Sequence, residues 1–208
     1  THHPVLRDDA IRWVAAASVS VMSFMRGDKT VPEHCLEGIL GKDSMTQLEA
    51  SKHMPIYASD RVRDSLKRMF YVTADTPAGL AHAWTVQLDR LEGELNDFML
   101  QYGGMERIRA TPLPIVYVSH LRTFLMIHLL LFPYVFGPHQ GWLTIPLTMI
   151  TAFAFLGIEG ASMEVENPFK KGVNNLNMDA LTMALIQNIQ QQVQSKADLE
   201  ISRQIMSA

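Results

Sequence analysis

Residues 111–136 read TPLPIVYVSHLRTFLMIHLLLFPYVF, and after the five residues GPHQG a second apolar run, WLTIPLTMITAFAFLGIEGASM, occupies 142–163. As a helix at about 1.5 Å per residue, Val116–Phe136 would be about 31 Å long, close to the roughly 30 Å hydrocarbon core of a bilayer. Trp142–Met163 is of similar length. The segment 137–141 suits a tight turn between antiparallel helices. The two runs therefore predict a transmembrane helical hairpin.

The basic residues around the hairpin predict its orientation. Arg107 and Arg109 precede the first run, Lys170 and Lys171 follow the second, and the turn contains no Lys or Arg. Loops rich in Lys and Arg stay on the cytoplasmic side of a membrane. Both open ends of the hairpin are therefore expected on that side, with the turn on the opposite side.

An alternative interpretation is a buried hairpin in a soluble helical bundle. It is supported by five ionisable residues that interrupt the apolar runs, namely His120, Arg122, His128, Glu159 and Glu164. Ionisable side chains at membrane depth are costly and face a bundle interior or a water-filled path. If the hairpin spans a membrane, these five residues need such a place.

The composition of the whole chain conceals this apolar segment. The 208 residues are 48% hydrophobic and 19% charged, and the apolar excess is concentrated in 112–163. A net charge of -3 without a long basic cluster argues against a nucleic-acid partner. Cys35 is the single cysteine of the sequence, so an intramolecular disulfide and a CxxC metal site are excluded.

The flanking segments show helical periodicity and no strand pattern, so the predicted fold class is all-α. The first predicted helix is Asp8–Gly27, with Gly27 as its C-cap. A longer one opens at Thr76-Pro77 and stops at Gly103-Gly104. The complete set of predicted flanking helices is Asp8–Gly27, Val31–Leu40, Ser44–Lys52, Asp60–Tyr71, the helix from Thr76 to about Tyr102, and a last helix capped by Asn174, Asn175 or Asn177.

These elements give a predicted domain organisation in three parts. Residues 1–110 form a helical region on the cytoplasmic side, 111–166 form the membrane helix pair, and 167–208 form a C-terminal helix on the cytoplasmic side.

Enzyme chemistry has little support in the sequence. Nucleophile-elbow, P-loop and HExxH patterns are absent. Glu49 and His53 stand four residues apart on a short helix, where such a pair is usually on the surface. His34 and Cys35 are adjacent and so point in different directions on a helix. The chain is therefore predicted not to be an enzyme.

Two motifs carry a resemblance to a known family. Thr111-Pro112-Leu113-Pro114, followed by a span with an early Arg122, resembles the start of the third membrane segment of the bestrophin family of anion channels. Glu166-Asn167-Pro168-Phe169, followed by Asn175–Asp179 and Leu181, is similar to that family's acidic-x-Pro-Phe segment and the opening of its next helix. The two motifs stand at either end of one predicted hairpin, and the resemblance covers most of the chain.

The resemblance implies a homopentameric channel for chloride or other monovalent anions, embedded in a lipid bilayer. It also implies that Leu113, between Pro112 and Pro114, forms a second constriction at the cytoplasmic exit of the pore. The membrane would be the thylakoid membrane in a plant or alga and a plasma or inner membrane otherwise. A second interpretation is a membrane scaffold that docks to a larger complex, such as a photosynthetic assembly.

The sequence departs from the family in two places. Bestrophin-like channels have two earlier membrane helices, so the chain is expected to be a bestrophin-like domain incomplete at its N-terminus. Animal members bind calcium through an acidic run after Pro-Phe, where this chain has Lys170-Lys171-Gly172-Val173-Asn174-Asn175. Lysines and amides replace the carboxylate oxygens that calcium prefers. We therefore expect no calcium site of that kind and no other cofactor.

Overall fold

The computed structural model describes residues 4–74, 76–111, 114–172 and 174–207, with side chains described as far as 195. Over these residues it consists of helices, turns and loops without a strand, which confirms the all-α prediction. The helices are α1 (Pro4–Arg26), α2 (Glu33–Leu36), α3 (Lys42–Ala50), α4 (Met54–Met69), α5 (Ala78–Ala110), α6 (Ile115–Gln140), α7 (Thr144–Val165) and α8 (Met178–Ser207). The chain divides into two compact units, 107–176 and the remainder.

The core of the larger unit lies between α1 and α4, which run antiparallel. Trp13 on α1 packs edge-on against Tyr57 on α4, with ring centroids 5.9 Å apart. Further along, Phe24 lies 4.9 Å from the ring of His53, at the start of α4. Ala16 and Ala58 are both fully buried. Small side chains on both helices allow their backbones to approach closely, and burial of the apolar surface between them stabilises the pair.

The C-terminus of α1 is fixed by a glycine, as predicted. Gly27 has φ 83°, a conformation that L-residues with a Cβ rarely adopt. Its amide donates to the Phe24 carbonyl at 3.1 Å, and the Asp28 amide donates to the Ser23 carbonyl at 3.0 Å. These two bonds are the Schellman motif, which satisfies the last carbonyls of the helix. The chain therefore turns sharply away from α1 directly after Arg26.

Several predicted helix limits were wrong, and α1, for example, begins at Pro4 rather than Asp8. α5 continues through Gly103-Gly104 to Ala110, because neither glycine adopts the positive φ that ends a helix. α4 begins at Met54 rather than Asp60, since Pro55 lies in the first turn, where a missing amide hydrogen costs nothing. α2 is confined to Glu33–Leu36, and Gly38 at φ 74° then breaks the pattern.

The smaller unit is a helical hairpin of α6 and α7. Arg122 contacts Glu159, and His128 contacts Phe155, so the two helices run antiparallel. The predicted turn 137–141 is shorter in the structure, because α6 continues to Gln140 and the reversal occurs at Gly141, with φ 54° and ψ −130°. A 3₁₀ turn, Gly141–Leu143, then leads into α7.

The hairpin buries very little of its own apolar surface. Within the described residues, α6 has no buried residue and α7 has only Thr144. The run Ile115–Val165, which includes both helices and the turn, is long and apolar enough to cross a membrane. Only 6% of its most apolar 18-residue window is buried. The core helix of a soluble protein would instead be mostly buried.

Candidate functional site

The first predicted site motif lies at the entrance to α6. Leu113 and Pro112 lie outside the described residues. Thr111 follows the end of α5, where its hydroxyl and its amide both donate to the Arg107 carbonyl. Pro114 is the residue before α6, with φ −54° and ψ 122°. A proline there fixes the chain in an extended conformation immediately before the helix begins.

The second motif, Glu166-Asn167-Pro168-Phe169, ends α7. Glu166 is the C-cap, and its amide donates to the Ser162 carbonyl at 3.2 Å. Pro168 terminates the helix and its carbonyl accepts the amide of Leu176 at 3.0 Å. Phe169 is 4% exposed. The motif therefore closes a loop between residues 168 and 176, anchored by a buried aromatic ring.

The loop after Phe169 holds itself together with amide hydrogen bonds. The Asn175 side-chain amide donates to the Lys170 carbonyl at 2.9 Å, and the Asn174 amide donates to Glu164 at 2.7 Å. The described part of the chain contains no group of three or more His, Cys, Asp or Glu side chains that could hold a metal ion. The backbone carbonyl of Lys170 in this loop and the carboxylate of Glu164 on α7 are therefore each bonded to an asparagine amide.

An ion pair crosses the hairpin groove, which we define as the open cleft between α6 and α7. The Nε of Arg122 donates to Glu159 Oε1 at 2.5 Å, and the two side chains are 42% and 28% exposed. The groove has a volume of about 510 Å³. Its lining residues are Tyr117, Val118, Leu121, Arg122, Phe124, Leu125, His128, Phe155, Ile158, Glu159, Ser162, Met163 and Glu166.

An aromatic cluster lies along the groove beyond the ion pair. His128 packs edge-on against Phe155 at 5.8 Å between centroids, and stacks with Phe124 at 6.5 Å. On the other side it lies 6.2 Å from Phe132. The imidazole is therefore surrounded by phenyl rings from both helices, so one end of the groove is charged and the other is aromatic.

A second ion pair, in the larger unit, joins its first helix, α1, to its last helix, α8. Arg26, the last residue of α1, donates two hydrogen bonds to Asp179 in the first turn of α8, at 2.6 and 2.7 Å. This hydrogen-bonded carboxylate raises the pKa of Arg26 above its ordinary value, although burial acts in the opposite direction. The cation lies at a helix C-terminus and the anion at a helix N-terminus, so both helix dipoles favour the pair.

The loop after α1 also places Cys35 near this pair. The thiol is 5% exposed, and burial raises its pKa above the ordinary value, to which the charge of Asp179 contributes. The thiol is therefore the neutral, unreactive form at physiological pH.

The structure brings only part of the predicted set together. Glu166 of the second motif lines the same groove as Arg122 and Glu159, whereas Thr111 and Pro114 do not line it. The sequence interpretation identified Arg122 and Glu159 as charges that need a polar place, but did not predict that they pair. Their nearly equal distances along the chain from Gly141 were the signal, since such residues face each other in an antiparallel hairpin.

Comparison with known proteins gives consistent matches. A voltage-dependent anion channel-forming protein of Nostoc sp. is 26% identical over 176 residues, which are 85% of this chain and 54% of that protein. The chloroplastic voltage-dependent chloride channel 2 of Arabidopsis thaliana is 22% identical over 192 residues, 92% of this chain and 43% of that protein. The chain thus spans about half the length of these relatives.

A solved structure shares the fold. The crystal structure of a bacterial bestrophin homologue from Klebsiella pneumoniae has a TM-score of 0.69 and 20% identity, covering 88% of this chain and 65% of that one. The relatives described here have channel names rather than enzyme names, in agreement with the prediction that the chain is not an enzyme. The family model for bacterial and fungal bestrophin proteins matches residues 1–191, and the chain therefore belongs to the bestrophin family.

Proposed function

We propose that this chain forms part of an anion channel that conducts chloride or a similar monovalent anion, with the α6/α7 hairpin as a membrane-spanning element. Two relatives are named as a voltage-dependent anion channel-forming protein and a voltage-dependent chloride channel. The family, the hairpin and the placement of its charges together support this function over that of a soluble bundle.

The exposed apolar surface of the hairpin is the observation that carries the proposal. Val116 is 81% exposed, Trp142 87% and Phe153 83%. Full burial of a large apolar side chain contributes roughly 1.5–3 kcal/mol of stabilisation, which is lost when the side chain stays in water. The hairpin carries many such side chains, so the cost in water would exceed the usual net stability of about 5–15 kcal/mol for a domain. Lipid or neighbouring subunits remove this cost.

The dimensions of the two helices fit a bilayer. α6 has 26 residues and α7 has 22. At about 1.5 Å per residue they are roughly 39 and 33 Å long, enough to cross a hydrocarbon core of about 30 Å. Most backbone groups inside each helix are hydrogen-bonded within the helix, as lipid requires, except where Pro133 and Pro138 of α6 offer no amide hydrogen to the carbonyls one turn earlier. Arg107, Arg109, Lys170 and Lys171 lie at the open ends, which we assign to the cytoplasmic side.

We further propose a homopentamer in which five copies of Leu113 form a narrow apolar ring. Closed rotational symmetry gives every subunit the same contacts. In support, α5 ends at Ala110 and α6 begins at Ile115, and the sequence between these helices includes Pro112 and Pro114 on either side of Leu113. An ion crossing such a ring sheds part of its hydration, at a cost that differs between anions.

Substitution of Leu113 tests the constriction. Leu113→Ala in the full-length protein is expected to change the relative permeability of chloride, nitrate and iodide without loss of assembly, since a wider ring demands less dehydration. If Leu113 instead packs in a core, the variant should lose roughly 2–5 kcal/mol of stability. Unchanged permeability ratios in bilayer recordings would rule out the ring.

Reconstitution of the full-length protein tests the channel itself. Liposomes loaded with chloride should release it when the purified protein is present, and protein-free liposomes should retain it. A protein that remains in the membrane fraction but gives no flux for chloride, nitrate or iodide would contradict the channel and leave the scaffold interpretation. Extraction of the protein from membranes without detergent would contradict both the channel and the membrane scaffold.

A further inference from the structure

We propose that the hairpin groove is an anion-binding site, in which the terminal nitrogens of Arg122 hold a halide-sized anion. The proposal deepens the anion-channel function above and rests on it for its physiological meaning. Its test measures binding, however, and does not require conduction.

The orientation of Arg122 leaves most of its hydrogen-bond donors available. Its hydrogen bond to Glu159 uses Nε, and among the described residues no acceptor is recorded for its two terminal nitrogens. All but one of the guanidinium N–H donors are therefore available. Glu159 could offer a cation only its second oxygen, Oε2. A cation bound there would also be repelled by the nearby guanidinium of Arg122. The donor set thus favours an anion.

The surroundings of the guanidinium also favour an anion. The side chain of Arg122 is 42% exposed, so an ion can reach it, yet Leu121, Leu125 and Ile158 line the same groove. Apolar walls lower the local dielectric constant and strengthen a charge-assisted hydrogen bond to an anion. Tyr117 and Ser162 also line the groove, and both residues carry a hydroxyl that is able to donate a hydrogen bond.

Two nearby carboxylates limit how strongly the groove binds an anion. Glu159 neutralises Arg122, and Glu166, the C-cap of α7, adds a second carboxylate that lines the same groove. An anion is therefore attracted by nearby donors but repelled by two carboxylates, so binding is weak. Conduction requires a site that ions enter readily and leave readily. Arg122 supplies the attraction, and Glu159 orients Arg122 while limiting the affinity.

The position of the pair agrees with this role. Arg122 is seven residues after Ile115, which places it about 10 Å along α6 at 1.5 Å per residue. In the proposed membrane arrangement this is within the bilayer rather than at its surface. Charged groups at that depth face protein or a water-filled path. The hairpin groove is then turned towards the interior of the assembly.

Bromide replaces chloride as a probe because its anomalous X-ray scattering identifies it. Crystals of the full-length protein soaked in bromide are expected to show a peak within about 3.5 Å of the terminal nitrogens of Arg122. Arg122→Gln should abolish the peak. Glu159→Gln should raise its occupancy, because the amide oxygen can still accept from Nε while the repelling charge is gone. The matched control Arg68→Gln breaks a surface pair with Asp64 and should leave the peak unchanged.

The results separate this proposal from the proposed function. If the pair is purely structural, both single substitutions impair assembly and neither changes bromide occupancy in the molecules that assemble. If Arg122→Gln fails to assemble, two other variants still test the site. The bromide peak is expected to be weaker in Arg122→Lys and stronger in Glu159→Gln. A wild-type protein with flux but no peak at Arg122 would overturn the site alone. A bromide peak at Arg122 in a protein that gives no anion flux would support the binding site and contradict the proposed channel.

Discussion

Substitution of Asp179 should destabilise the larger unit far more than the same change at a surface ion pair. The side chain of Arg26 is 6% exposed, whereas that of Asp179 is 58% exposed. Asp179→Asn therefore leaves a buried guanidinium without its carboxylate, and its Nε already lacks a partner among the described residues. The nearby charge of Asp28 compensates only in part.

The magnitude follows from the burial of the two partners. Breaking a fully buried pair costs about 3–5 kcal/mol, and surface pairs are worth about 0–1 kcal/mol. Because one partner is buried and the other is half-exposed, we expect Asp179→Asn to lower the free energy of unfolding by an intermediate amount, about 2 kcal/mol. For a chain of 208 residues that loss corresponds to a decrease in Tm of roughly 4–8 °C, and the decrease is smaller in a longer chain. Arg26→Met should cost less, since water can solvate the exposed carboxylate that remains.

The measurement is the thermal unfolding of the full-length protein in detergent, followed by size-exclusion chromatography. Asp64→Asn is the control, because Asp64 pairs with Arg68 one turn away on α4, at 2.9 Å, and both side chains are exposed. It should cost no more than about 0.5 kcal/mol. Equal Tm decreases for Asp179→Asn and Asp64→Asn would refute the reasoning, as would a larger loss for Arg26→Met than for Asp179→Asn.

Three further predictions concern the membrane unit and its loop. Cysteines at His139 and Lys171 should react with an impermeant maleimide from opposite sides, against a silent background from the buried Cys35; labelling from one side contradicts the hairpin topology. Gly157→Leu should lower the yield of oligomer, because the described residues leave open space within 4 Å of an added Cβ, where a neighbouring subunit can pack; normal oligomer yield excludes close packing at Gly157. Chelation of calcium should leave anion flux unchanged, since the loop 170–175 offers amides and lysines; flux lost on chelation and restored by calcium reverses this conclusion.

Local signals predicted most helices but misplaced several of their ends. Gly27 and Gly103 show the difference. Both follow a helical pattern, yet only Gly27 has a positive φ. The intrinsic penalty of a glycine inside a helix is about 1 kcal/mol, too small to end a helix whose other residues favour it. A helix end therefore depends on whether the chain must turn at that point, which is set by tertiary structure.

The pairing of charges was harder to predict than their presence. The sequence identified Arg122 and Glu159 as costly at membrane depth, but a shift of the turn by one or two residues changes which side chains face each other. The predicted turn covered 137–141, whereas the structure reverses the chain at Gly141 itself. Side chains on a helix rotate by about 100° per residue, so the exact register decides the contact. That register depends on Gly141 adopting φ 54°.

The exposed surface of the hairpin is the reason why we propose an assembly for this chain. In a soluble bundle the residues of α6 that face inward would be buried by the chain's own helices, yet none of the described residues of α6 is buried. The ion pair of Arg122 and Glu159 is partly exposed in the same groove. Lipid could cover the apolar faces, but lipid alone would leave the remaining guanidinium donors unsatisfied at a cost of several kcal/mol. The apolar faces therefore require lipid or protein, and the groove requires water, an ion or a polar partner. A channel whose subunits surround a hydrated path meets both requirements at once.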